Sequence, residues 1–409
     1  MIELRVGNIW VDIVGDLPTS HWYGIKQKLA FRPAGFMHHP LYNQWVYNEY
    51  GVPVRRKWPG WKYLAGKTKK RTYFPTGLYS LVAEYLKEHF IKYSVRDLRV
   101  KPCAEFPIDF AGLQLRDYQE RVCNDAANQQ RGIIQAATGA GKTAIAAGLM
   151  QKLKVSPFLF FVTSVDLLEQ ARDSLTEFLT VNGEKPHIGQ IGAGVIDIQD
   201  INVLTVQTAV RALGKEWNTD TKFDSEDEDD PTPIERYAKD IQDLMHSAQG
   251  CICDEVQHWR ADTCQLIARE LNSAFYTYGM SATPYRDEGD DMMINACFGK
   301  KVAMITASEL IQKGWLIKPN IKMVHIRGKR SNYREYQSIY KEKVVEDDYY
   351  NGTVANIANA YIGNERLVLV LVQQINHGKR LREMIPGSVF LSGNSAKGKR
   401  RERTRRCNA

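Results

Sequence analysis

Two groups of residues in this 409-residue sequence have the types and spacing to handle a polyphosphate. The first is Ala136-Ala137-Thr138-Gly139-Ala140-Gly141-Lys142-Thr143, which fits a phosphate-binding loop except that Ala136 stands in place of the first glycine. Small residues let successive backbone N–H groups close round phosphate oxygens, and the start of a following helix adds its positive end. Lys142 then reaches the β- and γ-phosphates of ATP, and Thr143 sets its hydroxyl on Mg²⁺. A chance glycine-rich turn before a helix is the bland alternative, and the closing Lys-Thr argues against it. The second group is Asp254-Glu255, carried at the end of the apolar Cys251-Ile252-Cys253. Asp254 is placed to hold Mg²⁺, and Glu255 to orient and deprotonate an attacking water. Alone, such a pair is more often a solvated acidic loop; beside a phosphate loop it reads as a metal ligand and a general base.

These residues need a scaffold that brings distant segments to one edge. From residue 113 the rhythm is strand, loop, helix: short apolar runs at 133–136, Phe158–Val162, Ile201–Thr205, 251–253 and 275–279 alternate with helical stretches such as 167–179 and 263–271. That alternation predicts a parallel sheet covered by helices on both faces, with ligands at the carboxyl ends of its strands. Before it, Ile2, Leu4 and Val6 alternate, Gly7-Asn8 follows, and Ile9, Val11 and Ile13 alternate again, which predicts a hairpin. Leu78, Leu81, Val82, Tyr85, Leu86 and Phe90 recur at helical spacing after Pro75-Thr76. Residues 1–112 thus read as a small α+β domain, 113–305 as an ATP-binding lobe, and 306–409 as a linker and the start of a second α/β lobe. In that last segment strands are expected at 367–372 and 388–391, flanking an amphipathic helix over 379–384. The acidic run 224–230 reads as a disordered surface insertion.

A hydrophobic fraction of 44% and a charged fraction of 25% are ordinary for a globular chain, and the length implies two or three domains. The longest apolar runs are strand-sized, so no membrane span is expected, and no secretory signal is visible. Seven cysteines without C-x-x-C spacing fit a reduced, cytoplasmic protein. The net charge of +8 is localised: residues 1–112 hold 17 Lys+Arg against 9 Asp+Glu, and the remaining 297 hold 38 of each. Its densest part runs through Arg55, Arg56, Lys57, Lys62, Lys67, Lys69, Lys70 and Arg71, interleaved with Trp58, Trp61 and Tyr63. Basic side chains neutralise phosphates while aromatic faces stack on bases, so nucleic-acid contact is expected there. The alternative is a solvated hairpin whose tryptophans pack into the domain core.

Two more segments complete a recognisable set. Leu115-Arg116-Asp117-Tyr118-Gln119 precedes the phosphate loop, and Ser281-Ala282-Thr283-Pro284 follows the carboxylate pair. With them the chain resembles the superfamily-2 helicases of ResIII and DEAD/DEAH type, and within those the phage UvsW-like branch of repair and recombination helicases. The resemblance implies a RecA-like P-loop NTPase lobe with a parallel sheet, a partial second RecA-like lobe and a small α+β N-terminal domain. It implies that Arg116 and Gln119 sense adenine, that 136–143, from Thr138 through Gly139, Ala140, Gly141 and Lys142 to Thr143, bind ATP, and that Asp254-Glu255-Val256-Gln257 is motif II. Ser281 and Thr283 would couple hydrolysis to nucleic-acid binding, with Gln257 bonding across to them. Ser164, in a motif Ia whose proline is replaced by Thr163, and Gln207 and Thr208 of motif Ib would touch the nucleic-acid backbone. Arg286-Asp287-Glu288 also fits the branch. Residues 367–380 resemble motif IV, and 390–393 the next strand. The branch carries a basic-aromatic loop before Phe-Pro-Thr-Gly-Leu, here 74–78, as a DNA-binding accessory domain.

Nothing remains for motifs V and VI, which predicts a C-terminally truncated chain that binds ATP and hydrolyses it poorly. The resemblance implies ATP and Mg²⁺ as cofactors and DNA as partner with RNA not excluded; a cytoplasmic protein of phage or prophage origin is expected, a monomer being the default while the sequence leaves the oligomeric state open. The expected function is ATP-driven movement on, or unwinding of, branched DNA. The alternatives are the ATPase subunit of a restriction system and a nucleic-acid-binding module with little hydrolysis.

Overall fold

In the computed structural model the described residues are 2–33, 35–39, 42, 44–47, 50–56, 58–214, 231–259, 261–284, 291–326 and 331–392. Side chains are described for all of these except 44–46, 54–56, 231–233 and 261–262. Lys57, the acidic run 224–230, Arg286-Asp287-Glu288 and residue 393 of the expected segment 390–393 lie outside them, as do the side chains of Arg55 and Arg56. Two compact units divide the chain, the first reaching Lys318 and the second beginning at Pro319.

The first unit begins with the hairpin Ile2–Val6 and Trp10–Val14, whose register sets Leu4 opposite Ile13 and Val6 opposite Val11. Those four side chains point the same way and are buried, as period-2 alternation requires. Thr72–Pro75 adds antiparallel to the second strand, and Tyr93–Asp97 adds parallel to the first. The helices Thr19–Lys28 and Tyr79–Glu88 bury Trp22, Ile25, Val82, Tyr85 and Leu86 in the core of this sheet.

The larger sheet has, among the described residues, eight strands in the order Val195–Asp197, Gly189–Gly192, Ile201–Thr205, Phe158–Val162, Gly250–Cys253, Tyr276–Ser281, Arg131–Ala136, Lys301–Ile305. All neighbours are parallel except the first pair. Apolar clusters lie on both faces, and the strand Phe158–Val162 is buried along its whole length. This is why its strands read as unbroken hydrophobic runs rather than alternating ones. Tyr276–Ser281 lies between the strand of the phosphate loop and the strand of the carboxylate pair. The segment 306–318, expected as a linker, packs on this lobe through the buried Leu310 of the helix Ala307–Gln312.

The small domain docks at the amino ends of these strands, the edge opposite the phosphate loop. Arg131, first residue of its strand, donates to the backbone carbonyls of Asn8 and, at 3.2 Å, of Cys297. Asn8 Nδ2 donates to the Asn272 carbonyl at 2.8 Å. Gly77 lies so close to the lobe that a Cβ there would stand 2.1 Å from the Asn295 carbonyl oxygen. Phe-Pro-Thr-Gly-Leu is therefore a docking element: Phe74 and Leu78 are core, Thr76 Oγ1 donates to the Gly7 carbonyl, and Gly77 permits backbone contact.

The second unit contains the helices Tyr336–Tyr340, extended by a π turn Lys341–Val345, Asp348–Gly363 and Ile375–Met384. Ala355, Ala358, Leu381 and Ile385 form its apolar cluster. Asn351 ties it together, donating to the carbonyls of Val344, Val345 and Asp347 and meeting His377 Nε2 at 2.8 Å. The helix expected over 379–384 is thus present and longer. The strands expected at 367–372 and 388–391 are not formed, because no neighbouring strand among the described residues supplies a hydrogen-bond ladder. Val370 and Val372 pack on the cluster while Leu367, Leu369 and Leu371 are 83%, 83% and 84% exposed. Exposure thus alternates along an all-apolar run, one side of which is left uncovered.

Candidate nucleotide site

The phosphate loop leaves the carboxyl end of Arg131–Ala136 and enters the helix Lys142–Leu153. Gly139 and Gly141 have φ of 83° and 76°, a conformation that costs most side chains dearly, while Ala136 ends the strand with no such requirement. Alanine in the first glycine's place is thereby accommodated. Thr138 and Gly139 are exposed at the crest, Ala140 is buried beneath, and Lys142 and Thr143 begin the helix.

The carboxylate pair follows Gly250–Cys253. Asp254 N–H donates to the Phe161 carbonyl at 2.9 Å, and Trp259 Nε1 donates to the Asp254 carbonyl at 3.0 Å, so backbone on both sides holds the turn. Glu255 adopts a left-handed conformation, φ 50°, strained for a residue with a side chain. That turn aims the two carboxylates at the phosphate loop. Lys142 Nζ donates to Glu255 Oε1 and lies 3.9 Å from Asp254 Oδ1. Lys142, Asp254 and Glu255, distant in sequence, therefore meet.

Their electrostatics differ. Burial pushes Asp254 up to about 6, with Lys142 opposing and Glu255 adding to the rise. Burial also pushes Glu255 up, but hydrogen bonds from Lys142 and Gln257 outweigh it and hold the carboxyl below its ordinary range. A carboxylate destabilised by burial, next to a hydroxyl-bearing helix start, is suited to a cation: Thr143 and Asp254 fit Mg²⁺, which is bound by few protein ligands and completes its shell with phosphate and water oxygens. Gln257 does not bond across to Ser281 or Thr283. The short turn Val256–His258 folds it back, and its amide donates to Glu255 Oε2. Its Oε1 is buried without a partner. Ser281 is buried and accepts from the Thr283 N–H at 2.9 Å, while Gln135 Nε2 donates to the Ala282 carbonyl at 3.3 Å.

Gln119, in the helix Asp117–Ala127, accepts from the Arg116 N–H at 2.9 Å and donates to the Ala140 carbonyl at 2.9 Å, so it grips the phosphate loop itself. Tyr118 hydroxyl donates to the same carbonyl. The Arg116 guanidinium lies over the Trp315 ring, 4.0 Å from its centroid, and Leu316 reaches within 2.7 Å of where a Gly139 Cβ would be. Trp315 and Leu316 are the residues that sequence reasoning missed. A lone aromatic in a loop carries no spacing signal, and only the return of the chain over the phosphate loop makes it part of the site.

Ser164 caps the helix Val165–Phe178, accepting from the Leu167 N–H. Gln207 Nε2 donates to the Thr163 carbonyl at 2.7 Å, which joins the two segments expected to touch nucleic acid at the same carboxyl edge. Thr208 is a correction: it is 1% exposed and its hydroxyl pairs with Thr205, so it braces the helix start and does not reach outward. The basic-aromatic stretch stands apart, on the small domain. Trp58 Nε1 donates to the Trp61 carbonyl at 3.2 Å, Arg32 covers the Trp61 ring at 4.5 Å, and both tryptophans are half-buried. Lys69 and Lys70 are exposed at a turn, Lys62 is half-buried, and Arg71 pairs with Asp12.

Residues 112–286 match the family described as Type III restriction enzyme, res subunit. A DNA 3'-5' translocase XPB2 of Sulfurisphaera tokodaii is 26% identical over 237 residues, 58% of this chain and 46% of that protein. A putative helicase 22 of Sulfolobus islandicus filamentous virus is 23% identical over 224 residues, 52% of this chain and 35% of its own length. The chain thus spans less than half the length of these curated relatives. Two crystal structures of the UvsW helicase of bacteriophage T4 share the fold with a TM-score of 0.52 each. One, at 16% identity, covers 75% of this chain and 99% of its own; the other, at 17%, covers 100% and 78%. The family match falls on the segment that holds the phosphate loop and the carboxylate pair, and over that segment the chain is similar to superfamily-2 helicases and translocases.

Proposed function

We propose that the chain is the ATP-binding part of a DNA translocase or helicase that couples ATP hydrolysis to movement on branched DNA in recombination, repair or replication. The meeting of Lys142, Asp254 and Glu255 at the carboxyl edge of the sheet carries this reading. Lys142 leaves Glu255 for the phosphates when ATP enters, which frees the carboxylate to take a proton from water. Thr143 and Asp254 would hold Mg²⁺, which neutralises charge on the transferring phosphoryl group. Gln257 keeps Glu255 oriented, and Gln119 reports on the base through the Ala140 carbonyl. Arg116 and Trp315 offer the nucleobase a cation and a ring face. Ser164, exposed at the same edge, faces the nucleic acid, and Gln207 braces that segment through the Thr163 carbonyl, with the exposed lysines of the small domain as a second, electrostatic contact.

The test is ATP turnover with and without forked DNA, duplex DNA and RNA, in the wild type and in Lys142→Ala. Stimulation by forked DNA that disappears in Lys142→Ala is expected; ATP binding unaffected by that substitution overturns the reading. A second reading, the ATP-driven subunit of a restriction system, draws on the description of the matched family. It requires turnover to depend on an added nuclease-associated partner and not on fork structure.

A further inference from the structure

The seam between the small domain and the motor lobe holds a cavity of about 30 Å³ lined by Asn8, Trp10, Arg131, Arg269, Ala296 and Cys297 among others. Its deepest charge is Arg131. The terminal nitrogens of that guanidinium are used on two neutral acceptors, the carbonyls of Asn8 and Cys297, while Nε is buried without a partner. Among the described residues no carboxylate lines the cavity. The second charge there is also positive: Arg269 lies over the Trp10 ring, 5.5 Å from its centroid. Arg99, whose charge acts on Arg131, is itself committed to Asp97 by bonds of 2.8 and 2.6 Å. The Cys297 thiol supplies no negative charge, because burial pushes it up to about 12. Burial lowers Arg131 to about 10, so it stays charged at neutral pH. Arg131 is half-buried with its Nε fully covered, and a charge so placed without an opposite partner is unfavourable; the usual remedies are a counter-ion or a bound ligand.

We propose that this cavity is a site for a small monovalent anion of halide size, held by Arg131 Nε with Arg269 at the rim, which ties the small domain to the motor lobe. The cavity opens to solvent on one side and has room for a small anion together with a water. An anion with one water fits every open valence: the anion faces the guanidinium, and the water donates to Asn8 Oδ1, which is also buried without a partner.

Two measurements decide, and neither depends on ATP. Crystals of the chain soaked in bromide should show anomalous density beside Arg131 Nε. Thermal unfolding should occur roughly 2–4 °C higher in chloride than in gluconate at equal ionic strength. Arg269→Ala, at an exposed position, should reduce that difference, and Arg131→Gln should abolish it. If Arg131→Gln does not fold, the bromide density and Arg269→Ala decide alone. Identical unfolding in the two salts overturns the proposal, whether the cavity then shows water or a bromide peak at molar concentration, which would be an adventitious ion only.

Discussion

Lys142 and Glu255, 113 residues apart, form an ion pair in which the lysine of the phosphate loop occupies an oxygen of the carboxylate proposed as the base. The pair holds both groups in place before a nucleotide arrives, and phosphates must compete for the lysine. Glu255→Gln removes that competition and a negative charge near the phosphates. Its affinity for Mg·ATP, read by calorimetry, should rise by about tenfold, ~1.4 kcal/mol, while turnover falls by roughly 10²–10⁴ through loss of the base. Weaker binding in Glu255→Gln would contradict the competition.

Asp254 provides a pH handle. Its folded value of about 6 lies above the ordinary 3.8, so the folded protein holds an extra proton between those values and loses stability as pH rises through them. Asp254→Asn should therefore be the more stable protein at pH 7.5, by up to about 3 kcal/mol, in denaturant titrations without Mg²⁺. Metal binding needs the carboxylate, so Mg²⁺-dependent ATP affinity of the wild type should decline as pH falls through 6. A pH-independent affinity between 5 and 7 would reject that assignment.

The base platform separates from the phosphate site. Trp315→Ala should weaken ATP binding by about tenfold, ~1.4 kcal/mol, and leave binding of Mg·tripolyphosphate unchanged; Trp315→Phe should restore most of the loss. Equal weakening of both ligands would make Trp315 a support of the loop and not a platform for the base.

Gly77 tests the docking seam. A methyl group there meets the Asn295 carbonyl oxygen at 2.1 Å and the Ala296 carbonyl oxygen at 2.6 Å, both backbone atoms. Gly77→Ala should destabilise the first unit by about 1–3 kcal/mol, and limited proteolysis should then release the small domain. Wild-type stability would show that the seam yields without cost.

For the exposed lysines the observable is salt dependence. Lys69→Ala with Lys70→Ala should lower the slope of log affinity against log salt by about 1–2 for duplex DNA, with ATP binding unchanged. An unaltered slope would remove this turn from the interface.

Local rules made much of this legible. Period-2 alternation located the opening hairpin, unbroken apolar runs located the buried parallel strands, and a small-residue loop ending in Lys142-Thr143 located the phosphate site. Those signals are local because backbone hydrogen bonding and burial constrain each segment separately. What failed was cooperative. Residues 367–372 are an unbroken apolar run of strand length, yet a strand exists only with a neighbour to bond. Thr208 looked like an exposed contact because nothing in a helix start tells which hydroxyl points inward. Gln257 turned back to Glu255 because the left-handed Glu255 redirects the chain, a conformation that residue type does not announce.

Residue order by itself determined which chemistry was on offer: a lysine and small residues for phosphates, two carboxylates for metal and water, and a surplus of positive charge confined to residues 1–112. The tertiary structure decided which groups act together. It set Lys142 against Glu255, laid Arg116 on Trp315, seated Gly77 against the Asn295 carbonyl, and left Arg131 charged in a cavity without a described acid. Each of these depends on distances between segments far apart in sequence, and such distances come from the packing of an open sheet and its covering helices, which no single segment encodes.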